Sequence, residues 1–254
     1  MDTVAGAPAP SAAGPDPRMR PYLRPSGLHP PLDSPEYRST LLRAPKLPAV
    51  RLPHGPTEIT GPLLGAERVT AADADLTRAH PGEPLGERII VTGRVLDSDG
   101  RPVPDALVEI WQANSAGRYA HGIDDHPAPL DPNFDGAGRC LTDSGGRYQF
   151  VTIKPGAYPW QNHHNAWRAA HIHFSVFGPA FATRLISQMY FPGDPLMDND
   201  PIFKCTADEA ARNRLVSTFD WQTTMPLHAL GYRCDIVMSG RDATPFEEKH
   251  GAHR

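Results

Sequence analysis

Residues 169–177, Ala-Ala-His-Ile-His-Phe-Ser-Val-Phe, alternate in a way that only an extended strand can sort into two faces. On that strand His171 and His173 share one face, and Ile172, Phe174 and Val176 share the other. Similar short runs recur along the chain. Residues 88–96 and 103–111 read as two strands joined by a turn at Ser98, Asp99 and Gly100. A second pair lies around 139–141 and 148–153, split by Asp-Ser-Gly-Gly, and further strands are expected at 170–177, 184–191 and 232–239. One helix is expected, with Thr206 and Glu209 as its capping box and its end near Ser217. Many short strands, turn signals and a single short helix predict an all-β fold, an antiparallel β-sandwich with long loops.

About half of the 29 prolines fall within residues 1–62. Proline fixes φ and lacks an N–H donor, so this stretch is neither a regular helix nor a central strand. Residues 1–80 therefore read as a Pro-rich N-terminal arm laid on the body or on a neighbouring subunit, with about the first twenty residues disordered. Residues 81–247 read as the catalytic sandwich domain. A net charge of −4 and a pI near 6.3 give no footprint for nucleic acid or an anionic membrane. No apolar run approaches membrane-spanning length, the first ten residues lack the features of a secretory signal, and the three cysteines form no CxxC pair. These features together point to the cytoplasm.

Two phenols, Tyr119 and Tyr158, precede the His171–His173 pair. Imidazoles two residues apart on one strand face are about 7 Å apart along the strand and can converge on one ion. Each of the four residues alone reads most simply as a solvent-capped tyrosine or a satisfied strand histidine; the set is what departs from that. Zinc rarely takes tyrosine. A phenol titrates near about 10, so a strong Lewis acid must displace its proton, and two phenolates favour iron(III) over iron(II).

The surroundings narrow this further. Residues 91–119, from Val-Thr-Gly-Arg-Val-Leu to Gly-Arg-Tyr, resemble the signature of the intradiol ring-cleavage dioxygenases. So do residues 130–143, Tyr-Pro-Trp at 158–160, Trp-Arg-Ala-Ala-His-Ile-His-Phe at 167–174 and Tyr-Phe-Pro-Gly-Asp-Pro at 190–195. Their order and spacing are similar to those of the metal-bearing β chains of the family's protocatechuate-cleaving members. The resemblance runs from about His29 to about Phe246 and weakens between about 65 and 84.

The resemblance implies one non-heme Fe(III) per chain, held by Tyr119, Tyr158, His171 and His173 together with a solvent hydroxide. Tyr119 and His173 would be equatorial, and Tyr158 and His171 axial. It implies that Tyr158 leaves the metal and does acid–base work when a catechol chelates, and that O2 cleaves the ring between its two hydroxyl-bearing carbons to a cis,cis-muconate in the β-ketoadipate route of aromatic degradation. Arg168 is implied to face the metal-bound ring. An odd offset from His171 puts it on the wrong face of a regular strand, so a break must intervene. Gln188 is implied to hydrogen-bond near the reacting oxygen, Trp160 and Ile202 to line the pocket, and Tyr37 to meet the substrate's carboxylate end. The partner implied is a homologous α subunit in a hetero-oligomer.

Gln161 stands where the family usually has arginine, and Asn162, His163, His164 and Asn165 replace its usual loop, which leaves gallate or another carboxylated catechol open. The lack of a helical dimerisation domain argues against catechol and hydroxyquinol. The opening of the sandwich also resembles transthyretin-like binding modules without chemistry. That alternative accounts for residues 91–110 but not for Tyr119, Tyr158, Arg168 and the two histidines together.

Overall fold

The computed structural model describes residues 68–160, 166–178 and 184–246, together with 20–21, 28–30 and 50–51. Its strands are β1 (Arg20–Pro21), β2 (Val50–Arg51), β3 (Arg88–Leu96), β4 (Leu107–Trp111), β5 (Ala137–Leu141), β6 (Arg147–Ile153), β7 (Tyr158–Trp160), β8 (Ala166–Arg168), β9 (His171–Phe177), β10 (Arg184–Tyr190), β11 (Thr218–Phe219), β12 (Leu230–Arg233) and β13 (Ile236–Val237). Two short α-helices, α1 (Pro201–Lys204) and α2 (Glu209–Asn213), follow β10.

One sheet has the order β10-β9-β4-β5, and the other is built on β3, with β6 on one side and β12 and β13 on the other. Ile89, Val91, Val95, Phe150, Val108, Ile110, Ile172, Phe174 and Val176 point inward from both and form the core. The alternation expected at 169–177 is thus realised: the apolar set faces the core and the histidines face away from it. β9 is buried on both faces as far as Val176.

The sandwich is as expected, but its local pairing is not. The two pairs of strands read as hairpins each split between the sheets. β3 pairs with β6, β12 and β13, whereas β4 pairs with β5 and β9. Only a bridge between Leu96 and Pro102 remains of the first hairpin. The first tight turn carries the chain across the core because β3 and β4 each have an inward apolar row to bury. The strand expected at 232–239 is broken into β12 and β13, and both lie parallel to β3.

The helix is also shorter than expected. Its N-cap is Asp208, whose carboxylate accepts the Ala211 N–H, rather than Thr206. Thr206 is buried, and its carbonyl accepts from Arg212 Nη1.

Of the N-terminal arm, the structure describes an antiparallel pairing of β1 with β2 and a tie between the Phe246 N–H and His29 Nδ1 at 3.1 Å. The expected disorder of about the first twenty residues concerns positions outside the described ones. Two 3-10 turns, Ala71–Ala74 and Leu76–Arg78, lie on the sandwich, and Leu76 is buried in its core. No helix among the described residues is long and apolar enough to cross a membrane.

Candidate metal centre

The candidate ligands come from three places. Tyr119 lies on the loop leaving β4, Tyr158 opens β7, and His171 and His173 stand on the outer face of β9. Two glycines let the first two loops touch. Gly117 has φ +80°, and a Cβ there would lie 2.2 Å from the Ala157 carbonyl; a Cβ on Gly156 would lie 2.4 Å from that of Ser115. The Asn114 carboxamide oxygen accepts the Ala116 and Arg118 N–H groups, and Asp124 accepts the N–H of Tyr119.

Four donor atoms converge as a result. Tyr119 Oη is 3.0 Å from His173 Nε2, His173 Nε2 is 3.2 Å from His171 Nε2, and His171 Nε2 is 3.4 Å from Tyr158 Oη. Donors about 2.1 Å from a shared ion are about 3.0 Å apart at a right angle and about 3.6 Å apart at 120°. All three gaps fall in that window.

His171 Nδ1 lies 2.6 Å from the Ala169 carbonyl, to which it donates, so Nε2 turns its lone pair toward the centre. Burial, then the nearby Arg168 charge, hold His171 well below the ordinary imidazole range and keep it neutral. The phenols are half-buried, so the open side of the cage is the tyrosine side. In one respect the geometry departs from expectation. Tyr158 Oη and His171 Nε2, implied to lie opposite each other, are at hydrogen-bonding distance rather than the about 4.2 Å that opposed donors need.

Among the described residues, no group of three or more His, Cys, Asp or Glu side chains could hold a metal.

Arg168 faces the same centre. β8 ends at Arg168 and β9 begins at His171, which supplies the break that the odd offset demanded. Register pairs Arg168 with Tyr158 across β7 and β8, and its Nη1 comes within 3.5 Å of Tyr158 Oη. Its Nη2 donates to Gln188 Oε1 and, at 3.1 Å, to Tyr190 Oη. Its carbon Cζ sits 5.8 Å above the Trp160 ring.

Gln188 is opposite His173 in the β9–β10 register, with Nε2 at 3.5 Å from His173 Nδ1. Ile202 is half-buried in α1, and its N–H donates to Asp200. Tyr37, Gln161, His163 and His164 lie outside the described residues.

Three side chains at the centre carry no signal that single-sequence reading assigns. Trp111 stacks on His173, ring centroids 4.8 Å apart and planes 5° from parallel. Tyr190 flanks His171, and Asp200 forms a buried ion pair with Arg168. Trp111 and Tyr190 lie inside recognised motifs, but their contacts with His173 and Arg168 come from strand pairing, which the sequence does not display.

Residues 59–240 match the family described as Dioxygenase, and residues 22–55 match Protocatechuate 3,4-dioxygenase beta subunit N terminal. A protocatechuate 3,4-dioxygenase beta chain from Burkholderia cepacia is 60% identical over 86% of this chain and 94% of its own length. The chain belongs to the intradiol dioxygenase family. That family is iron-dependent. A hydroxyquinol 1,2-dioxygenase from Rhizobium sp. is 35% identical over 46% of this chain, and the match spans 42% of that relative.

Among solved structures, the hydroxyquinol 1,2-dioxygenase of Pseudomonas putida DLL-E4 superposes with a TM-score of 0.50 at 25% identity, over 66% of this chain and 59% of that one. The 3-chlorocatechol 1,2-dioxygenase of Rhodococcus opacus 1CP shares the fold, with a TM-score of 0.51 at 21% identity over 66% of this chain and 65% of that one. The transthyretin-like binding module is not favoured: these matches are to ring-cleaving enzymes.

Proposed function

We propose that this chain is the metal-bearing β subunit of a protocatechuate 3,4-dioxygenase, opening protocatechuate with O2 to 3-carboxy-cis,cis-muconate. The observation that carries this reading is a run of two phenol oxygens and two imidazole nitrogens, each within 3.4 Å of the next, in a chain 60% identical to a relative bearing that name. Tyr119, Tyr158, His171 and His173 would hold one iron(III) per chain. Bound there, the ion would act as a Lewis acid toward the two adjacent hydroxyls of a catechol.

The chain's own groups supply the rest. Tyr158 Oη, ionised as a ligand of the ion, would be the base that takes a catechol proton; it is half-buried, on the open side of the centre. The guanidinium of Arg168 offers a fixed positive field to charge developing on the ring. Gln188 and Tyr190 hold it in place, and the Trp160 ring beneath it forms a wall. Buried His171 and His173 close the inner side to water. Tyr37 and Ile202 are proposed as further substrate contacts, Tyr37 at the carboxylate end.

The β-chain names of the relative and of the matched N-terminal segment support a homologous α subunit as partner. Three cysteines with no CxxC pair among them suit a reducing cytoplasm. We place the boundary between the N-terminal arm and the catalytic domain (81–247) near residue 80, with the last turns of the arm resting on the sandwich.

The experiment is optical. Tyrosinate coordinated to iron(III) colours a protein red-brown, so native material should be coloured and carry about one iron per chain. Protocatechuate added without O2 should shift the band, and O2 should then bleach it as muconate forms. Colourless, iron-free native protein would defeat the reading.

A further inference from the structure

Asp200 is the most enclosed acid near the centre, and nothing in the reaction as described uses it. We propose that Asp200 is a positioning residue for ring cleavage: it fixes the plane of the Arg168 guanidinium, and with it the direction in which Nη1 faces Tyr158. This inference rests on the dioxygenase reading above.

The carboxylate is fully buried and the Arg168 side chain is 3% exposed. Both Asp200 oxygens take Arg168 Nε, at 3.0 and 2.9 Å. Oδ2 also accepts the Ala169 N–H at 3.1 Å, and Oδ1 accepts those of Ile202 and Phe203 at 2.9 and 3.2 Å. An ionised carboxylate has about four lone-pair sites, and every one of these partners is an N–H donor.

Arginine cannot shed its proton, so its charge at this depth needs a fixed counter-charge. Asp200 supplies it through Nε. With Nε pinned by Asp200 and Nη2 held by Gln188 and Tyr190, the plane of the guanidinium is determined, and Nη1 is the arm that reaches Tyr158 Oη. Asp200 also caps α1, so the helix carrying Ile202 is set by the same carboxylate that sets Arg168.

A purely structural ion pair would tie β8 to α1 and nothing more. An apolar pair does that at least as well, since buried ion pairs are weak stabilisers. The discriminating variant is Asp200→Asn, which keeps shape and part of the cap but removes the charge. Iron content is expected to stay at the wild-type level. The visible tyrosinate band should move in the direction seen in Arg168→Ala, and kcat should fall about tenfold or more with KM within about threefold.

Because Asp200 acts through Arg168, the double variant Arg168→Ala/Asp200→Asn should turn over within about threefold of Arg168→Ala alone. An unmoved band with kcat within about twofold of wild type would overturn the inference, as would a double variant slowed by the full product of the two single effects. If Asp200→Asn yields no folded protein, Asp200→Glu carries the test. It keeps the charge but displaces the guanidinium, and kcat within about twofold of wild type with an unmoved band would count against the proposal. A wild type without iron or colour sinks the dioxygenase reading and this inference with it. A coloured, active wild type with indifferent Asp200 variants sinks this inference alone.

Discussion

Arg168 and Tyr119 both border the centre and should fail in different ways when replaced. Arg168 contributes no donor to the cage, so Arg168→Ala should keep its iron and slow turnover by about 2–4 kcal/mol in barrier, the scale of one preorganised charged donor. The check is kcat on protein matched for iron content. Tyr119→Phe removes one of the two anions, so iron content and visible absorbance should fall together; metal analysis of the purified variant reads this directly. At this scale much of the site was legible. The four candidate ligands, Arg168 and Trp160 stand in motifs, Gln188 lies just outside one, and strand parity put the two histidines on one face. Trp111 and Asp200 were not legible, because stacking on His173 and pairing with Arg168 depend on which strand lies beside which.

Strands and turns set the spacing of those residues, and Gly117 leaves the Tyr119 loop little latitude. Gly117→Ala places a side chain at φ +80° and against the Ala157 carbonyl, which pushes the Tyr119 loop away from Tyr158. It should cost about 1–3 kcal/mol of stability and lower iron affinity as well, measured by urea unfolding and by metal retention during dialysis. Individual strands were readable because the alternation in β9 and the apolar row of β3 each have a face to bury. Their partners were not. A tight turn usually signals a hairpin, yet here β3 and β4 part into opposite sheets, since two inward-facing rows a turn apart can also close a sandwich across its core. The helix start moved for a local reason: Asp208 is closer to the first free N–H groups than Thr206 and caps them itself.

Taken whole, the molecule should lose stability in alkali. Burial raises Cys140 and Cys234 to about 12, and pushes Tyr148 well above its ordinary phenol value. Below about pH 9 these groups hold their protons in both states; above it the unfolded chain releases protons that the fold retains, so stability falls as pH rises toward about 12. Melting temperatures at about pH 8 and about pH 10.5 should show the drop, and Cys234→Ala should blunt it. If the chain works with an α subunit, expression alone should give weak turnover that rises when an α chain is co-expressed; full activity as a lone chain would count against the partner.

β3 is flanked by β6 on one side and, on the other, by strands that are made last, β12 and β13 at Leu230–Arg233 and Ile236–Val237. During synthesis its second edge has nothing to pair with until that late segment leaves the ribosome. A nascent chain stalled before residue 230 therefore displays a bare row of backbone donors and acceptors, and it is in that interval, rather than in the finished enzyme, that aggregation and dependence on chaperones should concentrate.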